Sequence, residues 1–188
     1  MTPAKTRVAL RYWRDHRRWA IWLVCLALLV WQFVLPSDQQ QPPEQLHEGV
    51  HTVSRVVDGD TLLLESGARV RLQGIDTPET VREDRPVEAW GPEASTFSKN
   101  FVADANRQVR LTFSLERKDR YDRFLAFVWK GDVMLNEELV RAGLAHARLD
   151  YRYSGPMKRR LAAAEKEARA AKRGIWSEAA ASDRPNRR

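Results

Sequence analysis

Short apolar runs separated by turn signals follow one another in the segment after residue 50. The runs cover residues 53–57, 62–64 and 70–75, and they are rich in valine, leucine and isoleucine. Asp58-Gly59-Asp60 and Ser66-Gly67 separate the runs, and both sequences favour turns. This pattern predicts an antiparallel meander of three strands.

The turn at residues 66–68 fixes a register for the second and third strands. A three-residue turn there places Leu62 and Leu64 on one face of the sheet together with Leu72 and Val70. Because side chains alternate along a strand, the apolar pattern itself selects this pairing.

The same register makes a prediction about charged residues. It places Asp60 and Asp76 on one face as diagonal neighbours, roughly 7 Å apart, so that both carboxylates can converge on one ion. It turns Arg71 to the opposite face. Arg71 then reaches the carboxylates only if the strands curl strongly, as they do in a small barrel.

Two more strands and three helices are predicted further along the chain. Apolar runs at 109–115 and 124–129 have strand composition, and Gly91-Pro92-Glu93 is typical of a helix start. Asn136 is expected to cap a short helix that ends at Gly143, and Pro156 to begin a long one. The apolar side of the long helix comprises Met157, Leu161, Ala164, Ala168 and Ala171. Five short strands with about three helices predict an α+β, mainly β, fold: a five-stranded OB-type barrel.

An apolar segment at residues 19–35 precedes this domain, with Gln32 as its one polar residue. A helix of this length measures roughly 26 Å, close to the hydrocarbon thickness of a bilayer. Six basic residues and one acidic residue precede Trp19, which predicts a transmembrane helix with a cytoplasmic N-terminus and a domain outside the cytoplasm. A cleaved signal peptide, and hence a secreted protein, is the alternative.

The composition therefore divides the chain into five regions. A basic cytoplasmic segment (1–18) and the anchor (19–35) are followed by a linker rich in proline and glutamine (36–50), a folded domain (51–178) and a disordered tail (179–188). The net charge of +7 lies largely beside the apolar segment, so charge alone indicates a membrane as much as a nucleic acid. Cys25 is the single cysteine, which excludes an intramolecular disulfide.

The candidate chemistry comes from oxygen ligands and arginines around the first hairpin. Asp60 and Asp76 offer hard carboxylate oxygens, Arg71 lies between them in sequence, and Arg123 follows later. A divalent cation on carboxylates and a pair of guanidinium groups are what attack on a phosphodiester requires. The leading hypothesis is a nuclease.

The order and spacing of these residues resemble the staphylococcal nuclease (thermonuclease) family over about residues 51–178. The resemblance is carried by Val57-Asp58-Gly59-Asp60-Thr61, Arg71-Leu72, Asp76-Thr77-Pro78-Glu79-Thr80, Gly91-Pro92-Glu93-Ala94-Ser95, Asp119-Arg120-Tyr121 with Arg123, Leu125 and Ala126, Asn136 with Leu139-Val140 and Gly143-Leu144-Ala145, and Ile175-Trp176-Ser177-Glu178.

The resemblance implies an OB-fold and a Ca²⁺-dependent, monomeric endonuclease that acts on DNA and/or RNA and leaves 3′-phosphates. Its residue roles carry over position by position. They assign Asp60, Asp76 and the Thr77 carbonyl to calcium, Glu79 to activation or orientation of water, Arg71 and Arg123 to the scissile phosphate, and Tyr121 and Arg120 to substrate binding.

Two features depart from the family pattern. Asp122 stands where the family commonly has glycine, and a carboxylate beside Arg123 is expected to weaken phosphate binding. The alignment slips near Tyr151 and Tyr153, so either tyrosine is a candidate for stacking on a base. The alternative function is an inactive OB-fold module that binds nucleic acid or protein on a membrane tether.

Overall fold

The computed structural model describes residues 43–80 and 88–177. The predicted segments 1–18 and 19–35 and the predicted tail lie outside these residues. Within the described ranges, none of the helices has the length and apolarity needed to cross a bilayer.

Eight strands and three α-helices form the described part of the chain. The strands are β1 (Gly49–Asp58), β2 (Thr61–Leu64), β3 (Arg69–Leu72), β4 (Ile75–Asp76), β5 (Gln108–Thr112), β6 (Phe124–Lys130), β7 (Val133–Met134) and β8 (His146–Ala147). The helices are α1 (Gly91–Asp104), α2 (Leu135–Arg141) and α3 (Gly155–Ala170), followed by a 3₁₀ turn at Gly174–Trp176.

The main sheet closes on itself. Its strand order is β3-β2-β1-β5-β6, and β3 also pairs with β6 in parallel, so that five strands form a closed barrel. Strand β7 extends β6 as a hairpin, and β4 pairs separately with β8. The expected five-stranded barrel with three helices is confirmed, and its architecture is that of an OB-type fold.

The barrel interior and the helices that cover it form one apolar core. Alternate residues of β2 and β3 point inward, and α2 and α3 bury their leucine and alanine faces. The most deeply buried side chains include Val53, Leu62, Leu64, Val70, Leu72, Leu111, Phe127, Leu135, Leu139 and Leu161.

The predicted register of the first hairpin is wrong by two residues. Thr61 pairs with Arg71 and Leu62 pairs with Val70. The turn uses residues 65–67 because Gly67 takes the left-handed conformation, with φ of 80°, and donates its N–H to Leu64 O at 3.0 Å. A shift of two keeps each side chain on its predicted face, so the inward and outward assignments survive.

Asn136 is not a helix cap. Helix α2 begins one residue earlier, and the Asn136 side chain is fully buried within it. Its amide accepts the N–H of Val128 at 3.0 Å and donates to Gln73 O at 2.9 Å and Ala126 O at 3.2 Å. The residue therefore ties α2 to two barrel segments.

The packed domain begins before residue 51, the boundary suggested by composition. Strand β1 begins at Gly49, and Leu46 is buried in the core while its carbonyl accepts a hydrogen bond from Arg117 Nη2 at 2.5 Å. Strand β5 ends at Thr112 rather than at Leu115, the predicted last residue of that strand, and Leu115 is exposed.

Candidate active site

The turn between β1 and β2 lies directly against helix α1. A Cβ on Gly59 would approach Ala94 Cβ and Thr77 Oγ1 to 2.9 Å, so the turn has no room for a side chain. Ser98 Oγ on α1 donates to Gly59 O at 2.6 Å. The glycine of the Asp58-Gly59-Asp60 sequence is thus required by this close approach of the helix.

Asp60 is buried at the end of this turn, with 2% of its surface exposed. Its Oδ1 accepts a hydrogen bond from Thr61 Oγ1 at 3.0 Å, and its Oδ2 accepts the N–H of Thr77 at 3.2 Å. Its Oδ1 also forms an ion pair with Arg71 Nη1. These contacts fix both oxygens of the carboxylate.

Arg71 joins Asp60 to the second predicted carboxylate. Its Nη2 donates to Asp76 Oδ1 at 2.6 Å, and its side chain is 14% exposed. Burial by itself lowers the pKa of Arg71, but the adjacent Asp60 and Asp76 carboxylates outweigh it and raise the pKa above its usual value. Arg71 therefore remains charged and holds the two acids together. The closed barrel supplies the strong curvature on which its approach was predicted to depend.

Glu79 follows β4, and its backbone is hydrogen-bonded to Glu88. Its backbone N–H donates to Glu88 Oε2 at 3.2 Å, and its carbonyl accepts the N–H of Glu88 at 3.1 Å. The neighbouring Thr80 hydroxyl donates to Asp58 Oδ1, which also accepts the N–H of Gly59 at 2.7 Å. The Asp58 carboxylate thus organises the turn and links it to the Glu79 segment.

Arg123 is held in place by Asp119. Asp119 Oδ1 accepts the N–H groups of Tyr121 and Arg123 at 2.9 and 3.0 Å, and its Oδ2 accepts Arg123 Nε at 2.7 Å. Burial raises the pKa of Asp119, but the hydrogen bonds from Arg123 and Tyr121 more than offset this and lower it. Because side chain and backbone bind the same acid, the guanidinium is preoriented.

Tyr121 stands at the surface between two guanidinium groups. Arg120 lies 4.8 Å from the centre of its ring and donates to its hydroxyl at 2.7 Å, and Arg123 lies 5.3 Å from the ring. The ring itself is exposed. Tyr121 and Arg120 are accordingly accessible to a ligand.

Asp122, the position at which glycine was expected, has a left-handed backbone conformation, with φ of 61°. Its carboxylate is directed to Lys118, whose Nζ lies 2.8 Å from Asp122 Oδ1. Lys118 thus partly neutralises the charge that was expected to oppose phosphate binding near Arg123.

Strand pairing brings together the chain segments that carry the two arginines. Arg71 on β3 is the register partner of Leu125 on β6, and Arg123 stands two residues before Leu125. Arg123 is therefore the residue that immediately precedes the strand paired with β3.

A third arginine at this end of the barrel was not identified from the sequence. The backbone N–H of Arg148 donates to Gly74 O at 2.8 Å, and its Nη1 donates to Asp76 Oδ2 at 3.4 Å. Asp150 accepts from Arg148 Nε and Nη2 at 3.1 and 3.0 Å. The sequence carries no local signal for this contact, because it depends on the pairing of β4 with β8.

The two tyrosines that the sequence left as alternatives differ in position. Tyr153 is buried against Gly74, where a Cβ would meet its ring at 2.8 Å, and its ring contacts Phe127 edge-on at 5.9 Å between centroids. Burial raises the pKa of Tyr153 to about 12. Tyr151 is exposed, with the Arg148 guanidinium 4.7 Å from its ring centre, so it alone of the two presents a surface to solvent.

The cluster of Asp60, Arg71 and Asp76 combines paired carboxylates with a charged donor fork. Across residues 43–80 and 88–177, no group of three or more histidine, cysteine, aspartate or glutamate side chains could hold a metal ion. The two carboxylates meet at a single guanidinium, that of Arg71.

Comparisons with known proteins identify relatives of this chain. A family model described as staphylococcal nuclease homologue matches residues 69–178, more than half of the chain. A thermonuclease of Staphylococcus hyicus is 42% identical over 134 residues, which cover 70% of this chain and 78% of that protein.

Two further relatives give the same picture. A thermonuclease of Staphylococcus intermedius is 42% identical over 129 residues, with 67% of this chain and 75% of that protein covered. Endonuclease YncB of Bacillus subtilis (strain 168) is 32% identical over 129 residues, which cover 67% of this chain and 61% of that protein.

Proposed function

The chain belongs to the staphylococcal nuclease family and is a nuclease, and on this premise we propose that it is a calcium-dependent phosphodiesterase of DNA and RNA. In this proposal water attacks the phosphodiester, and the products carry 3′-phosphate and 5′-hydroxyl ends. The observation that carries the proposal is the sharing of Arg71 by Asp60 and Asp76, which gathers two carboxylates and one guanidinium at a single point.

The residues present fit a calcium ion. Both acids supply hard oxygens, and a positively charged group, the Arg71 guanidinium, already lies between them. The Thr77 carbonyl is the proposed third protein ligand. Since this set contains only two protein carboxylates, we expect weak binding, suited to a calcium-rich compartment. Bound calcium would supply a Lewis acid that polarises a phosphate oxygen and acidifies a nearby water.

The remaining chemistry belongs to protein side chains. Glu79 follows Thr77 by two residues, and we assign it to accept a proton from the attacking water or to orient that water. Arg71 and Arg123 are assigned to the phosphate oxygens, where their planar forks stabilise the added charge of the five-coordinate transition state. Once Asp60 and Asp76 serve as ligands, the Arg71 donors become available to a phosphate.

Substrate is proposed to extend over the surface beside Arg123. Tyr121 and Arg120 are assigned to this contact because the ring is exposed and the arginine is aligned over it. Aromatic rings stack with any base, and a guanidinium binds any phosphate, so these contacts favour no particular sequence.

The place of action is proposed from residues 1–35. A basic segment followed by 17 residues with one polar side chain supports a single-pass anchor with the domain outside the cytoplasm, acting there as a monomer. If the segment is instead cleaved, the domain is secreted.

One preparation tests both parts of this proposal. Full-length protein is expected to remain with membranes after a carbonate wash, and after extraction in mild detergent to cut single-stranded DNA and RNA with calcium. Added chelator is expected to stop cleavage, and excess calcium to restore it. Cleavage that persists in chelator, or none at any calcium concentration up to the millimolar range, would contradict the calcium-dependent mechanism.

A further inference from the structure

Arg148 lies on the side of Asp76 that Arg71 does not contact. Arg71 donates to Asp76 Oδ1 at 2.6 Å, whereas Arg148 donates to Asp76 Oδ2 at 3.4 Å. The outer carboxylate of the site thus stands between two guanidinium groups. The two arginines reach it from different strands, β3 and the end of β8.

The position of Arg148 is fixed by several contacts. The β4–β8 ladder pairs Asp76 with His146, and the Arg148 N–H continues the ladder by donating to Gly74 O at 2.8 Å. Asp150 accepts two hydrogen bonds from the guanidinium, which also lies 4.7 Å from the centre of the Tyr151 ring. A fork held in this way loses little conformational freedom when it binds an anion.

The positive charge of Arg148 opposes the binding of a cation to Asp76. A guanidinium beside Asp76 competes with a cation for that carboxylate and weakens cation binding. The same charge attracts a polyanion, and at 36% exposure the Arg148 side chain is open to one. A nucleic acid bound at this edge would therefore benefit from a charge that hinders a cation there.

A strand of nucleic acid carries one negatively charged phosphate at every nucleotide. Arg71 and Arg123 are assigned to the scissile phosphate; Arg71 lies on β3, and Arg123 immediately precedes β6, the strand that pairs with β3. Arg148 contacts the other oxygen of Asp76, on the side away from Arg71.

We propose that Arg148 binds the substrate phosphate next to the scissile one, and that Tyr151 and Asp150 hold its guanidinium in place for this contact. The inference rests on the proposed function, because it takes the scissile phosphate to lie at Arg71 and Arg123. It adds a specificity for substrate length, since only a substrate with a second phosphate can use Arg148.

The test compares Arg148→Ala, Arg148→Lys and Lys166→Ala in the full-length protein. Lys166 is an exposed residue of α3, so its substitution removes one positive charge away from this contact. Catalysis is measured with calcium on a 12-nucleotide DNA and on a substrate with a single phosphodiester. Binding of the same DNA is measured separately in chelator, by fluorescence anisotropy over a range of salt concentrations.

We expect Arg148→Ala to raise KM for the 12-nucleotide DNA about tenfold with little change in kcat, as loss of one charged hydrogen bond implies. Cleavage of the single-phosphodiester substrate should be unchanged. In chelator, affinity should fall, and the salt dependence should become shallower by about 0.7, the contribution of one phosphate in a single strand. Arg148→Lys should retain the salt dependence and recover part of the affinity.

Three results would overturn the inference. Equal effects of Arg148→Ala and Lys166→Ala would show a general charge effect. An equal loss on both substrates would place Arg148 in the support of Asp76 rather than in substrate binding. A kcat loss with unchanged KM would do the same.

The cleavage measurement and the binding measurement together distinguish failure of this inference from failure of the proposed function. If the wild-type protein binds DNA in chelator but cuts nothing with calcium, the proposed function fails while the binding arm still decides the role of Arg148. If the wild-type protein neither binds nor cuts, both are overturned.

Discussion

Two clusters in this chain are built from acids and arginines but share them in opposite ways. At the barrel end, one arginine, Arg71, is shared by Asp60 and Asp76. Between α2 and α3, one acid, Glu137, is shared by Arg141 at 2.5 Å and by Arg160, whose Nε donates at 2.9 Å. In the first cluster an arginine bridges two acids, and in the second an acid bridges two arginines.

Exposure separates the two clusters further. Asp76 is 42% exposed, so the outer acid of the barrel cluster faces solvent. Glu137 is only 10% exposed, and its carboxylate joins α2 to α3 through Arg160. The same ion-pair chemistry therefore leaves a solvent-exposed carboxylate in one place and forms a helix-to-helix connection in the other.

The largest effect is expected from Arg71→Ala. Loss of the guanidinium removes a donor to the transition state, and kcat should fall on the order of 10²- to 10³-fold. It also leaves Asp60 buried without its cation, so stability in chelator should fall by about 2 kcal/mol, with calcium restoring part of it. Steady-state kinetics and urea unfolding with and without calcium measure both effects.

Arg71→Lys provides the matched comparison, because it keeps the charge but not the fork. It should recover most of the stability and little of the kcat. Recovery of both would show that charge alone suffices at this position, and recovery of neither would show that the cluster depends on packing of the guanidinium.

A loss of stability without a loss of kcat is expected from Glu137→Ala. Arg141 and Arg160 are partly exposed and can be solvated once the acid is gone, so the free energy of unfolding should fall by about 2 kcal/mol, less than for a fully buried pair. The kcat and the calcium requirement should be unchanged well below the melting temperature. A kcat that falls in proportion to stability would remove the distinction between the two clusters.

Local sequence signals predicted the barrel because each acts over a few residues. Alternation identified the strands, and Gly91-Pro92-Glu93 identified the start of α1. The register of the first hairpin failed since two adjacent turns were compatible with the same apolar pattern, and only the left-handed Gly67 selects one of them. An error of two residues left the faces correct, and so the prediction that Asp60 and Asp76 lie together did not depend on it.

The contacts that sequence reasoning missed all join distant segments. Asn136 was read as a cap from its neighbours, yet its amide bonds to Gln73, 63 positions away. Arg148 reaches Asp76 across 72 positions, through a pairing of two-residue strands too short to leave a pattern. Residues of this kind become visible only when the chain topology is known.

The smallest effect is expected from Asp122→Gly, which asks whether an exposed charge beside the barrel cluster adds to it. Glycine accepts the left-handed backbone, and the exposed pair with Lys118 contributes little, so stability should change by less than about 1 kcal/mol. KM for DNA should fall no more than about threefold, and salt should remove the difference, since screening acts within about 8 Å at physiological ionic strength. Lys118→Ala, which leaves the carboxylate without this partner, should raise KM by a similar factor. A tenfold change that persists in high salt would mean that Asp122 opposes the phosphate directly, and the barrel cluster would then extend to the Arg123 turn.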